Sequence, residues 1–256
     1  MEHDYIYVHL DSVSNSVLSK GISFSNYKEI VQQPLKNLLL LNATKDIGEF
    51  DSYTGFRMIR GEQKVEEFLT SEAYQRYVKQ AGNWIDFQNL ELLHELTPVE
   101  ISELLYIAHA HSSLHSPFYY KLQNNFILLT LPDGFTKIYC RDLNLFYEFF
   151  AREITKRVNQ CVNERRKLFK KQKTIAMIPF EITHQLTPLL KEGVVLSFSK
   201  ISARDTVSEI KVYLVEDRVR NLQSQMKESE LMALLLYNHE KQEWTIEEMQ
   251  TLVPSL

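Results

Sequence analysis

Between Phe118 and Phe150 the chain carries ten of its 29 aromatic residues, arranged around Pro132-Asp133-Gly134. Phe118–Leu131 and Phe135–Arg141 are rich in β-forming residues on either side of that turn signal, which predicts an antiparallel hairpin. Asp142 then stands where a helix cap is needed. Leu143, Phe146, Tyr147, Phe150, Ile154 and Cys161 recur at about 100° per residue, the pattern of a helix with one apolar side. Aromatics that continue from the hairpin into such a stripe predict the centre of a core rather than a base-stacking platform.

Upstream, Thr97-Pro98-Val99-Glu100 places a capping Thr, Pro at the first helical position and Glu at the third. Ile101, Leu104, Leu105 and Ala108 follow as the buried stripe of that helix. The fold class expected is therefore α+β, with helices packed on a mainly antiparallel sheet and a central helix, hairpin and long helix. Around this centre, Tyr5–Leu10 and Gly55–Arg60 read as strands, and Gln63–Gln80 as helix with a break near Thr70. Asn26–Leu41 reads as helix interrupted at Pro34. A short helix ending near Gly193, strands at Val194–Ser199 and Glu209–Val215, and helical character over Asp217–Tyr237 complete the chain. A capping box at Thr245-Ile-Glu-Glu248 predicts a last helical turn.

Length permits one large domain or two modest ones. The boundary suggested by composition lies at 170–173, dividing an α+β domain over 1–173 from a smaller α+β portion over 174–256 that can share the same core. Apolar residues make up 44% and charged residues 24%, with seven Gly and seven Pro, which excludes a disordered or collagen-like chain. The start Met1-Glu-His-Asp4 has no signal-peptide pattern and no apolar run approaches a membrane span, so a soluble, cytoplasmic protein is expected. Two cysteines, Cys140 and Cys161, form no Cys-x-x-Cys motif and suit a reducing compartment.

His109, His111 and His115 are the nearest approach to a chemical motif. A metal needs imidazoles that converge within about 2.1 Å of one ion, with a carboxylate such as Glu95, Glu100 or Glu103 to complete the set. On a helix His111 and His115 lie ~40° apart but His109 lies ~160° from His111, so three ligands for one ion would require an extended segment. Pro117 disfavours helix at Ser116 and predicts a helix end between Ala110 and His115. The spacing His111-x-x-x-His115 is that of a zinc helix, but Ser112 stands where that motif has its general base. A metal-dependent hydrolase using zinc or another transition metal at these histidines is thus an alternative, and structural histidines are the simpler reading. Neither a phosphate-cradling glycine loop nor a Gly-x-Ser-x-Gly elbow is present, so no catalytic residue or cofactor is assigned.

Arg152–Lys173 holds nine Lys or Arg and two Glu, a surplus of +7 in a chain of net charge -4. Arg152, Lys156, Arg166, Lys167 and Lys170 fall opposite the aromatic stripe, as on a solvated face. Such a field can steer an acidic protein or a nucleic acid, although no nucleic-acid reader motif accompanies it. The function expected is a non-catalytic binding or assembly protein, with nucleic-acid binding as a further alternative and self-association into a homo-oligomer compatible with either.

Overall fold

The computed structural model describes residues 5–23, 30–31, 34–79, 82–110, 119–131, 134–164, 172–199, 201, 206–215 and 230–249. Two compact units interleave along the chain. A terminal unit is drawn from Met1–Ser12, Val17–Ser23 and Phe146–Leu256, and an inner unit from Val13–Ser16 and Phe24–Leu145. The first strands, β1 (Tyr5–Asp11) and β2 (Ser16–Lys20), are neighbours in a sheet. Ile6, Tyr7 and Val8 are wholly buried, as befits a strand covered on both faces.

The inner unit arranges six strands in the order β8-β7-β6-β3-β5-β4. In chain order these are β3 (Asn37–Leu40), β4 (Glu49–Phe50), β5 (Arg57–Arg60), β6 (Trp84–Phe87), β7 (Phe126–Thr130) and β8 (Thr136–Cys140), each paired antiparallel with its neighbours. Helices α1 (Glu62–Thr70) and α2 (Glu72–Lys79) precede β6, breaking at Ser71 as the sequence predicts. Helices α3 (Glu91–His94), α4 (Pro98–Ala110) and α5 (Tyr119–Leu122) lie between β6 and β7.

The alternation of the strands sorts the inner core into two faces. Leu39, Ile85, Phe87 and Leu129 meet Leu93, Leu104 and Ile107 of α3 and α4. Trp84, from the other face, meets Phe126 at a ring separation of 5.4 Å and donates to the Tyr74 hydroxyl of α2 at 3.4 Å. Residues 26–29 and 32–33 of the expected helix over Asn26–Leu41 lie outside the described residues, and its Asn37–Leu40 part is corrected to the strand β3. Its residues are all buried, and a continuous apolar run between two partner strands needs no helical period. Asn37 is accommodated there because its Nδ2 donates to the carbonyls of Phe87 and Gln88 at 3.2 and 2.9 Å.

The capping box of α4 forms as read: Thr97 N donates to Glu100 Oε2 at 2.7 Å, and Glu100 N donates to Thr97 Oγ1 at 3.3 Å. The buried stripe, however, runs through Leu104 and Ile107 with Ile101 beside them, while Leu105 is 41% exposed. The first part of Phe118–Leu131 is likewise no strand, since Tyr119–Leu122 is α5.

In the terminal unit the strand order is β12-β11-β10-β9-β1-β2. Here the chain supplies α6 (Leu143–Glu164, from Phe146 on), α7 (Phe180–Gln185), α8 (Thr187–Glu192), β9 (Val194–Ser197), β10 (Val207–Leu214), β11 (Leu231–Asn238) and β12 (Glu243–Glu248). The extended segment before α7 is stitched in place from several elements: Ile178 N donates to Thr155 Oγ1, Ala176 N to Tyr237 Oη, and Trp244 Nε1 to Ala176 O.

β11 and β12 overturn two helical expectations. Ala233, Leu235 and Tyr237 are buried at every second position of β11, a period of two that the helical reading of Asp217–Tyr237 misses at its end, while residues 217–229 of that reading lie outside the described residues. Thr245-Ile-Glu-Glu248 has the composition of a capping box, but the segment pairs with β11 from Glu243 to Glu248 and buries Trp244. Long-range pairing outweighs the local cap.

Candidate functional site

The long helix α6 opens the basic segment Arg152–Lys173 with Arg152, Lys156 and Arg157, balanced within the helix by Glu148, Glu153 and Glu164, while the other six basic residues follow it in sequence. Asp142 Oδ1 accepts the N–H of Asn144 at 2.9 Å and starts the helix. Phe146, Tyr147, Phe149, Phe150, Ile154, Val158 and Val162 are buried, which covers most of the helix circumference. The outward side carries Asn144, Glu148, Lys156, Asn159 and Gln160, which are exposed, and Arg152, which is half-buried. Lys156 Nζ stands 3.9 Å from Glu153, at the limit of an ion pair.

Arg157, one residue on, behaves oppositely. It is buried, its Nε donates to Glu153 Oε1 at 3.0 Å, and Nη1 donates to the carbonyl of Tyr5 at 3.1 Å. Nη2 donates to the carbonyl of Gly21. Gly21 has a φ of 87°, and a Cβ there would lie 2.8 Å from Tyr5 O and 3.0 Å from Arg157 Nη2. The guanidinium thus binds α6 to the residue that opens β1 and the residue that follows β2, which lie side by side. Glu153 and Arg157 remove one charge of each sign, so the surplus of +7 belongs to the other residues of Arg152–Lys173. Of the five basic residues singled out from the sequence, Arg152 and Lys156 share the outward side, and Arg166, Lys167 and Lys170 lie outside the described residues.

For the histidine alternative, α4 carries His109 on its backbone and continues to Ala110, while His111 and His115 lie outside the described residues. Among the described residues no group of three or more His, Cys, Asp or Glu side chains is placed to hold a metal. His184 packs against Tyr147 and Phe180 at ring separations of 5.2 and 5.5 Å, and His239 shares a hydrogen bond of 2.8 Å with Ser208 Oγ. Ser208 is buried in β10, out of reach of a substrate. Burial pushes the Cys140 thiol up to about 12, which leaves it inert as a nucleophile.

One ionisable group escaped the sequence reading. Asp86, wholly buried on β6, accepts the N–H of Asn125 and of Phe126 on Oδ1 at 2.8 and 2.7 Å, and Asn125 Nδ2 on Oδ2 at 2.8 Å. Desolvation raises its carboxyl to about 6, against the opposing pull of those donors. The signal was present: an Asp within the apolar run Trp84-Ile-Asp-Phe87 must be satisfied internally wherever that run is a central strand.

These features define an α+β protein with antiparallel strands, a long helix whose outward side carries Glu148, Arg152 and Lys156, and no metal cluster among its described residues. No described helix is long and apolar enough to cross a membrane. Comparison with protein-family models, curated proteins and solved structures finds no match.

Proposed function

We propose that this chain is a non-catalytic binding or assembly protein that engages an acidic protein partner through Arg152 and Lys156 of α6 together with Arg166, Lys167 and Lys170. The observation that supports this reading is the outward side of α6: the apolar circumference is buried, and the basic groups at positions 152 and 156 are left one helical turn apart. A partner of modest size is favoured over a long nucleic acid because the chain outside Arg152–Lys173 has a net charge of -11, the difference between -4 and +7. A polyanion that extends beyond the basic segment meets repulsion from that remainder. Two free cysteines suit the cytoplasmic location that accompanies this reading.

The test uses poly-L-glutamate and a single-stranded oligonucleotide as probes of the two polyanion classes. Wild-type chain should bind poly-L-glutamate at low salt and lose most of that affinity at high salt. Arg152→Glu with Lys156→Glu should reduce the low-salt affinity about tenfold, since reversing rim charges changes steering and contact together. Unchanged affinity in the reversed variant overturns the proposal, and tight oligonucleotide binding that depends on the same residues replaces the protein partner with nucleic acid.

A further inference from the structure

Of the groups hydrogen-bonded to the Asp86 carboxylate, only the Asn125 carboxamide can turn over. Phe126 N and Asn125 N are fixed backbone donors on Oδ1. Oδ2 receives the Asn125 carboxamide at 2.8 Å and shares the Asn125 N–H at 3.1 Å, and a half-turn of the carboxamide exchanges its Nδ2 donor for its Oδ1 acceptor. An ionised carboxylate is satisfied by donors alone, whereas a carboxylic acid requires an acceptor for its own O–H. We infer that Asp86 and Asn125 form a proton-coupled switch: with Asp86 ionised the Asn125 amide donates to Oδ2, and with Oδ2 protonated the amide turns so that its carbonyl oxygen accepts the new O–H. Only an O–H bond forms or breaks, and the proton comes from and returns to solvent.

Among the described residues, the titratable groups of the neighbouring elements are engaged away from this pair. β3 places Leu38 opposite Asp86 in register. From α2, the Tyr74 hydroxyl accepts from Trp84 and the Tyr77 hydroxyl bonds Asn42 and Asn83. Lys121 of α5 is held by the carbonyl of Glu95 at 2.8 Å and lies 3.7 Å from Glu100. Arg141, after β8, donates to the carbonyl of Gln123 at 3.0 Å. No described Lys, Arg or His forms an ion pair with Asp86, so its two states differ chiefly in hydrogen bonding and hydration. Asn124 Nδ2, buried without a hydrogen-bond partner, contributes a further donor near the carboxylate and favours the ionised state.

The switch sits at the junction of α5 and β7, where Asn124 N donates to Asp86 O at 2.9 Å and Arg141 N donates to Asn125 O at 2.8 Å. It is read by nuclear magnetic resonance of the isotope-labelled full chain. The Asp86 carboxyl carbon and the Asn125 amide protons should titrate with one common midpoint near 6. One Asn125 amide proton should be shifted downfield above that midpoint, by its bond to the carboxylate, and lose the shift below it. Asp86→Asn should make the Asn125 resonances independent of pH. The inference fails if that proton keeps its downfield position on both sides of the midpoint. It fails equally if Asp86 titrates in the ordinary carboxylate range near 4, or if Asn125 titrates unchanged in the Asp86→Asn chain.

Discussion

Asp86 couples one side chain to the stability of the inner unit. Asp86→Ala leaves the N–H groups of Asn125 and Phe126 and the Asn125 amide without their acceptor, and each unsatisfied group costs about 1–3 kcal/mol. Denaturant unfolding should show a loss of about 2–5 kcal/mol, a range below the full sum because Asn125 is partly open to water. Asp86→Asn keeps one carbonyl oxygen for the two backbone donors and should cost far less. The pH dependence has a definite sign. The folded-state carboxyl at about 6 lies above its unfolded value near 3.8, so the contribution is whole below pH 3.8 and falls as pH rises towards 6. The decline is about 1.4 kcal/mol for each unit of separation, and it should vanish in Asp86→Asn. A wild-type curve that is flat or rising relative to that of the variant across this window would refute the assignment.

At the scale of elements, α6 depends on an internal ion pair rather than on its apolar side alone. Removing the guanidinium in Arg157→Met leaves buried Glu153 with only Lys156 at 3.9 Å and strips a donor from the carbonyls of Tyr5 and Gly21. Urea unfolding should record a loss of about 3–5 kcal/mol. The double variant Glu153→Gln with Arg157→Met should be less destabilised than Arg157→Met alone, because it removes the stranded charge as well. Equal stability of the single variant and wild type would mean that the pair contributes nothing to holding α6.

The elements also show what was legible in the residues. α4 and α6 could be read because their caps are local: Thr97 and Glu100 bond each other, and Asp142 bonds Asn144 two residues away. The pairing of β7 with β8 could be read because only five residues of sequence separate the two strands. β3 and β11 could not, since their pairing joins residues far apart in sequence: Leu39 with Met58 and Ile85, Leu235 with Ile210. A run such as Leu38-Leu-Leu-Leu41 carries no period to separate strand from buried helix. Of the candidate site, position 156 was rightly placed outward by helical spacing, whereas nothing in the spacing marks Arg157 as internal until Glu153, Tyr5 and Gly21 are brought to it.

On the scale of the whole molecule, order along the chain and membership of a unit part company. Residues 5–12 and 17–23 belong to one unit with Phe146–Leu256, and Phe24–Leu145 belongs to the other. The charge distribution is also a property of the whole, because a surplus of +7 in 22 residues stands against -11 elsewhere. That opposition confines an acidic partner to the basic segment and makes the contact sensitive to salt. Hydrogen exchange of the full chain, with and without poly-L-glutamate at low salt, tests this claim most directly. Added protection should be confined to Leu143–Lys173 and disappear at high salt, and protection centred elsewhere, or none at all, would contradict the account.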